Sequence, residues 1–408
     1  MHYNTIVIGA GPSGLFAAQM IGKKDKKVLL LERNKRLGRK LLVSGSGQCN
    51  FTHSGDIKEF FTRYGDNAKF LKKSFSEFDN KKSIEFFQNA GVVTETRENG
   101  KVFPKSAKSQ EILDVLLLKC QKNNVEIQTE KLVGNVYMHD DLFAVETTDG
   151  HRYTSNNVVV ATGGKSYEVL GSDGKGYKIA KSFNHKIVET RPALTYVETE
   201  EKYFKELSGI SFTGIQMTIW RDGKKVTDRI GSLLFTHKGV SGPLILDATR
   251  WMKENDTLTF NFIYPTSFEE VRDRFAKEIA SRGSEQIYTY LKTLDLPRNF
   301  CKLICEQVGI DPETQCAKLS KEHRQKLVDM FTKCPLRVKA IGGFHTAMVT
   351  AGGVSLKEVN PTTMESRKQK GLYFVGEVLD IDGDTGGYNI QAAFSTAYVC
   401  ATHIRNKK

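Results

Sequence analysis

The sequence predicts an α/β protein whose mostly parallel sheet is interrupted by an antiparallel and helical insert. Strand-like and helix-like segments alternate from residue 1 to about 190 and again from about 343 to 408. Residues 191–342 break this alternation, first with β-branched and aromatic segments and then with helical periodicity. The 408 residues also exceed what one hydrophobic core normally serves.

The N-terminal segment has the order strand, glycine turn, helix, strand. Its parts are a β-branched strand at Thr5–Ile8, the turn Gly9-x-Gly11-x-x-Gly14, helix formers at Leu15–Ile21, and a buried strand at Val28–Leu31 that ends in Glu32. In such a unit the three glycines allow a tight turn, close approach of a pyrophosphate, and close helix packing. The helix N-terminus attracts phosphates, and the acidic residue binds a ribose. The segment predicts a Rossmann-type dinucleotide site, and Glu32 favours FAD or NAD over NADP.

A basic loop with a second glycine cluster follows directly, in "NKRLGRKLLVSGSGQCNFT". An NAD-dependent dehydrogenase usually continues into another α/β unit at this point, whereas a loop that returns across the site suits the longer FAD molecule. Arg39 and Lys40 could instead be surface charges, and Gly45–Gly47 a flexible loop. We favour the interpretation that this loop contacts FAD.

The stretch "VVVATGGKSYEVLGSDGKGYKIA" raises the question of a second nucleotide fold. Val158–Thr162 is strand-like and follows an alternating hairpin around Asp149-Gly150. No GxGxxG joins this strand to the next helix, and no acidic residue closes a following strand. We therefore predict that Ala161–Gly163 lies beside the first nucleotide and that the loop is not a second dinucleotide fold.

The C-terminal segment predicts a strand at Leu372–Val375, the pair Gly376-Glu377, an acidic glycine loop, and a helix that starts near Tyr388 or Asn389. Glu377 is placed to hold the ribityl hydroxyls. The helix N-terminus can stabilise negative charge on a reduced flavin. A purely structural βα unit is the alternative, but it would not require several glycine and aspartate residues so close together.

The insert divides into two parts. Residues 191–265 contain the turn Arg221-Asp222-Gly223 between β-rich segments and predict a small antiparallel barrel. Residues 266–342 predict a helical subdomain. Residues 1–190 and 343–408 would then form a discontinuous FAD-binding domain, with the insert covering the flavin.

Composition excludes several classes of protein. Seven cysteines without a CxxC pair argue against disulfides, zinc sites and dithiol redox centres, and we expect no metal. The net charge of +13 is dispersed, which favours a solvated surface over a nucleic-acid partner. No stretch is apolar enough for a membrane span, so we expect no membrane association and a cytoplasmic protein. The oligomeric state is left open.

Five stretches resemble the successive signatures of a bacterial FAD-binding flavoprotein family called aminoacetone-oxidase-like or bile-acid-reductase-like. They are "GRKLLVSGSGQCN", "ATGGKSYEVLGSDGKGY", "LLFTHKGVSGP", "VTAGGVSLKEVNPTTMES" and "GLYFVGEVLDIDGDTGGYNIQAAF". The chain departs from the family pattern at Ser46, Gln48 and Glu168. The resemblance implies a glutathione-reductase-like FAD domain with an inserted barrel and helical unit.

The residues predicted to bind FAD come from six parts of the chain. They are Gly9, Gly11, Pro12, Ser13, Gly14, Glu32, Arg33, Arg39, Lys40, Leu41, Ser46, Gly47, Asn50, Val133, Ala161, Thr162, Gly163, Gly376, Glu377, Gly387, Tyr388, Asn389 and Ile390.

Three functions fit these features. The first is an oxidase of a small amine, of the aminoacetone type, that passes electrons to oxygen and forms hydrogen peroxide; we favour it because a second dinucleotide fold and CxxC are absent. The second is an NAD(P)H-driven reductase of an enone-like substrate. The third is an RNA-modifying flavoprotein, against which the dispersed charge argues. Candidate acids and bases are His237, Tyr388, Lys40 and Cys49, each of which also has a plain structural explanation.

Overall fold

In the computed structural model, which describes residues 1–22 and 26–407, the chain divides into two units. One consists of Met1–Ala193 and Phe344–Lys408, and the other of Leu194–Gly343. Among the described residues, no helix has both the length and the apolar composition that crossing a membrane requires.

The strands are β1 His2–Ile8, β2 Val28–Leu31, β3 Thr52–His53, β4 Thr94–Thr96, β5 Lys101–Pro104, β6 Val125–Gln128, β7 Val133–His139, β8 Leu142–Thr147, β9 Arg152–Val160, β10 Ile187–Ala193, β11 Val197–Thr199, β12 Ser211–Arg221, β13 Lys224–Thr236, β14 Gly239–Ser241, β15 Thr257–Asn261, β16 Cys334–Ile341, β17 Val349–Val354 and β18 Leu372–Phe374.

The α-helices are α1 Pro12–Ile21, α2 Arg39–Val43, α3 Ile57–Phe60, α4 Lys72–Glu77, α5 Asn80–Gln88, α6 Ser109–Lys122, α7 Gly176–Ser182, α8 Pro243–Ala248, α9 Phe268–Ser281, α10 Ile287–Leu291, α11 Arg298–Gln307, α12 Lys321–Thr332 and α13 Tyr388–Asn406.

A seven-stranded sheet forms the centre of the first unit. Its order is β6-β2-β1-β9-β8-β7, with β18 also paired to β9. The pairs β1–β2, β2–β6, β1–β9 and β9–β18 are parallel. In register, Ile8 lies beside both Leu31 and Val160, and Val160 beside Phe374. Together with β6, whose Gln128 lies beside Leu31, five strands therefore end at one edge of the sheet, where parallel α/β sheets bind their ligands.

Four of these strands, β1, β2, β9 and β18, end in apolar runs at this edge because the sheet is covered on both faces. All four residues of β2 are buried, and so is the segment Val158–Val160. The predicted strands at 5–8, 28–31, 158–162 and 372–375 are all present. The strand at 28–31 has the predicted ends, β1 and β18 differ by three and one residues at one end, and β9 starts six residues earlier and ends two residues earlier than predicted. The long C-terminal helix begins at Tyr388, as predicted. The Rossmann-type fold is confirmed.

A closed barrel with the strand order β11-β14-β13-β12-β15-β16 forms part of the second unit. The turn between β12 and β13 is left-handed at both Asp222 (φ 49°) and Gly223 (φ 73°). Two successive positive φ values suit the right-handed twist of a two-stranded hairpin. The residues between β15 and β16 form α9 to α12, and β16, which lies within the segment 266–342 predicted to be helical, completes the barrel. Helix α9 starts with a capping box between Ser267 and Glu270. Phe275 of α9 and Phe331 of α12 meet with ring centroids 5.9 Å apart.

Candidate cofactor site

The glycines of the first turn have different surroundings. A Cβ atom at Gly9 would lie 2.6 Å from the carbonyl oxygen of Ala161, and one at Gly14 would lie 1.9 Å from the carbonyl oxygen of Gly9. A Cβ atom at Gly11 would have no protein atom within 4 Å. Gly9 and Gly14 are therefore required by packing, whereas Gly11 leaves open space beside the backbone.

Helix α1 begins at this open space. Pro12 occupies its first turn, Gly11 precedes it in an extended conformation, and no side chain caps it. The first turn contains no acidic residue. Its unpaired N–H groups and the positive end of the helix dipole therefore remain available to an anion such as a pyrophosphate.

Glu32 is held at the end of β2 beside the glycine turn. Its Oε2 atom accepts a hydrogen bond from the backbone N–H of Ala10 at 2.8 Å. Its Oε1 atom accepts from the backbone N–H (2.8 Å) and the side-chain amide (2.7 Å) of Asn34. The side chain is 8% exposed. Because each carboxylate oxygen can accept two hydrogen bonds, Oε2 can still accept one from a ribose hydroxyl.

The end of β9 brings small and polar residues to the same edge. Ala161 is buried, and Gly163 has a left-handed backbone with a φ of 71°. The buried atoms Oγ1 of Thr162 and Oδ1 of Asn50 have no hydrogen-bond partner within the described part of the chain. Buried polar atoms are rarely left unpaired, so both suit hydrogen bonds to a ligand.

Lys40 and Glu377 form an ion pair, although they are far apart in sequence. The Nζ atom of Lys40 lies 2.7 Å from Oε2 of Glu377. The Oε1 atom of Glu377 also accepts from the backbone N–H of Thr350 at 3.0 Å. Lys40, a candidate base, is thereby tied to a carboxylate, and sequence reasoning gave no sign of Thr350.

The start of α13 is fixed by close packing. Gly387 has a φ of 96°, and a Cβ atom there would lie 2.5 Å from the carbonyl oxygen of Thr52. The ring of Tyr388 is buried and stacks on His53 with centroids 5.3 Å apart. The side-chain oxygen of Asn389 accepts from the backbone N–H of Gly383 at 2.7 Å. These contacts indicate that Tyr388 anchors the helix.

The basic predicted residues Arg33 and Arg39 have partners close to Glu32. Arg33 forms an ion pair with Asp173, a residue that sequence reasoning missed. Arg39 donates a hydrogen bond to the side-chain oxygen of Asn34 at 3.1 Å.

The remaining predicted residues lie in several elements of the first unit. Ser13 is buried in α1, where Gly376 approaches it closely, and Leu41 is buried in α2. Ser46 and Gly47 lie in the turn after α2, Val133 begins β7, and Ile390 lies in α13.

The other two catalytic candidates have contrasting environments. Cys49 is fully buried, and burial raises the pKa of its thiol to about 12, which does not suit a proton-transfer or nucleophilic role. All seven cysteines are buried and form no disulfide. His237 is exposed in the turn between β13 and β14, in the second unit. The four candidates therefore do not form one catalytic cluster in the first unit.

The site fits FAD. An open glycine at a helix start without acidic residues accommodates the pyrophosphate, and a buried carboxylate and two unpaired buried oxygens suit the hydroxyls and ring of the cofactor. Fold and site together define an FAD-dependent oxidoreductase of the Rossmann type. The chain belongs to the family described as HI0933-like protein Rossmann domain, whose model matches residues 3–403.

Three relatives match along nearly their whole length. The ribosomal RNA dihydrouridine synthase of Haemophilus influenzae is 34% identical over 406 residues, and that of Escherichia coli is 31% identical over 402; each match covers 98% of both chains. The 3-dehydro-bile acid delta(4,6)-reductase of Clostridium scindens is 28% identical over 407 residues, which is 96% of this chain and 97% of the relative.

Proposed function

We propose that the protein is a flavin-dependent reductase that converts a uridine of ribosomal RNA to dihydrouridine. The observation that carries this proposal is the similarity to two ribosomal RNA dihydrouridine synthases over 98% of both chains. A match of this extent includes both units and every residue predicted to bind FAD. None of the three relatives bears the name of an oxidase, so a reductase replaces the amine oxidase that sequence analysis favoured.

Reduction of uridine adds two hydrogens across its C5–C6 double bond, which is conjugated to a carbonyl group. The substrate carbon gains a hydride and its neighbour gains a proton, and a two-electron donor such as a nicotinamide nucleotide must supply the electrons. Bound FAD supplies the hydride transfer that such a reduction needs. An enone-like substrate has the same conjugated bond, and the reductase name of the third relative favours it as a second candidate.

We propose that the predicted FAD-binding residues act together at the carboxyl edge of the sheet. Glu32 would bind the ribose, Gly11 and the start of α1 the pyrophosphate, and Glu377, held by Lys40, the ribityl chain. We also propose that residues 191–265 and 266–342 form an insert in a discontinuous FAD-binding domain.

The proposal gives the protein an RNA partner, contrary to the expectation from its dispersed charge. Residues 1–193 and 344–408 contain 37 of the 60 lysine and arginine residues but 27 of the 47 acidic ones, a net charge of +10, whereas residues 194–343 carry +3. Folded RNA is bound largely through its shape and phosphates, which requires no continuous basic run. The charge therefore favours the first unit as the main RNA-binding surface.

The test is an anaerobic assay with the photoreduced FAD-loaded protein and in vitro transcribed ribosomal RNA, with dihydrouridine measured by mass spectrometry of digested nucleosides. We expect dihydrouridine with the wild type and almost none with Glu32→Ala, which should lose FAD. A parallel reaction uses a steroid with a conjugated ketone. Reduction of the steroid alone would favour the second candidate, and failure to reduce either substrate would refute the proposal.

A further inference from the structure

A cavity of about 590 Å³ opens in the first unit beside the loop that joins β9 to α7. Its volume lies in the range of small-molecule sites. Four lysines contribute to its lining, together with Tyr177 and the first part of β10; the lysines are Lys165, Lys175, Lys178 and Lys181. No residue predicted to bind FAD lines it, so the cavity differs from the proposed FAD site.

The charges around this cavity favour an anion. Burial alone would raise the pKa of the Asp173 carboxyl, but hydrogen bonds from the Lys175 backbone and from Arg33 hold it below the usual value. Asp173 is therefore an ionised partner of Arg33 and Lys175, whereas the carboxylates of Glu168 and Glu189 are exposed. Across the residues that the structure describes, Lys178 and Lys181 form no ion pair.

Tyr177 contributes to the cavity wall, but its hydroxyl does not face the cavity. The residue is 5% exposed, and the hydroxyl is buried, with no hydrogen-bond partner among residues 1–22 and 26–407. Burial, together with the charges of Glu377 and Asp380, raises the pKa of this hydroxyl well above its usual value. Because neither carboxylate lines the cavity, the lysines supply the groups that can bind a ligand there.

Two hydrogen bonds join the cavity wall to the proposed FAD site. The backbone N–H of Lys165 donates to Oγ1 of Thr350 at 2.8 Å. The backbone N–H of Thr350 in turn donates to Oε1 of Glu377 at 3.0 Å. A ligand in the cavity would therefore contact a loop that is bonded directly to the residue proposed to hold the ribityl chain.

We propose that this cavity binds the phosphate-bearing part of a nucleotide, with Lys178 and Lys181 contacting the phosphate. Phosphate is an acceptor-rich anion, and lysines bind it as point charges. The nucleotide could come from a nicotinamide reductant or from the RNA substrate, and only the second source rests on the proposed function. Neither requires a second dinucleotide fold.

The experiment compares Lys178→Glu/Lys181→Glu with the control Lys69→Glu/Lys72→Glu, in which two exposed lysines with the same spacing are changed elsewhere in the first unit. The first arm measures anaerobic flavin reduction by NADPH and NADH in stopped flow. The second measures binding of ribosomal RNA by the photoreduced FAD-loaded protein. FAD content and thermal unfolding are determined for every variant.

We expect the cavity variant to raise the apparent Kd at least about tenfold in one arm, because even a single charge-assisted hydrogen bond contributes that much, with FAD content unchanged. The affected arm identifies the source of the phosphate. Wild-type affinities in both arms would overturn the inference, and dihydrouridine formation by that same variant would show that the proposed function still holds.

Discussion

Two glycine-rich connections leave the central sheet, and they use glycine for opposite purposes. In residues 9–14 the middle glycine faces open space. In residues 163–176 a neighbouring side chain occupies the space that a Cβ atom would need at each glycine. The neighbours are Ser172 at Gly163, Thr350 at Gly164, Asn34 at Gly171, Lys165 at Gly174, and Thr162 at Gly176. The first connection therefore admits a ligand to the backbone, whereas the second is packed tightly against its own side chains and those of other segments.

The number of glycines in a connection therefore does not show whether they leave room for a ligand or allow close packing. Both connections follow a buried parallel strand and precede a helix, but α1 has ten residues and starts at the turn, whereas α7 has seven and starts after a 3-10 turn at Glu168–Leu170. Substitutions at single glycines distinguish the two uses, because an added methyl group meets backbone, side chain or nothing.

Gly14→Ala should have the largest effect. Its Cβ atom would lie 1.9 Å from the carbonyl oxygen of Gly9, so the backbone of the turn must move. We expect a loss of about 3 kcal/mol or more in the free energy of unfolding. Urea denaturation followed by circular dichroism measures it. A stability equal to that of the wild type would contradict the packing described for this turn.

Gly176→Ala should destabilise less, because its Cβ atom would meet the side-chain oxygen of Thr162, at 1.9 Å. We expect a loss of about 2 kcal/mol, of which Thr162→Ala in the same chain should restore part by removing the obstacle. A double-mutant cycle in urea checks this. Strictly additive effects would show that the two side chains are not in contact.

Glu32→Ala should cost about 2 kcal/mol in the apoprotein, because the N–H groups of Ala10 and Asn34 lose a charged acceptor. It should also weaken FAD binding by roughly tenfold or more, because the ribose loses its acceptor. Fluorescence titration with FAD measures the affinity, and Glu32→Gln is the control that retains one acceptor oxygen. Unchanged FAD affinity in both variants would exclude Glu32 from the cofactor site.

Cys49→Ala should have a small effect, about 1 kcal/mol, because it removes one buried sulfur atom. Since its thiol pKa is raised to about 12 by burial, native Cys49 should resist alkylation at neutral pH, and the variant should retain wild-type turnover. Peptide mass spectrometry after treatment with iodoacetamide checks the first point. A loss of turnover with FAD still bound would return Cys49 to the list of catalytic candidates.

The sequence predicted those parts that depend on local pattern. The strands at Val28–Leu31 and Leu372–Phe374 and the helix start at Tyr388 follow from apolar runs and glycine placement. The pairs Lys40–Glu377 and Arg33–Asp173 could not be predicted, because residues 337 and 140 positions apart meet only through the sheet order. The close contact between Thr162 and Gly176 likewise depends on tertiary packing, which cannot be predicted from the spacing of the glycines.

Gly11→Ala tests most directly the claim that the first connection is open to a ligand. Its added methyl group meets no protein atom within 4 Å, and the backbone at this position has an ordinary φ of −79°. The apoprotein should therefore unfold at the wild-type urea concentration, while titration with FAD should show an affinity lower by about tenfold or more. Wild-type FAD affinity, or a loss of stability like that of Gly14→Ala, would contradict the account.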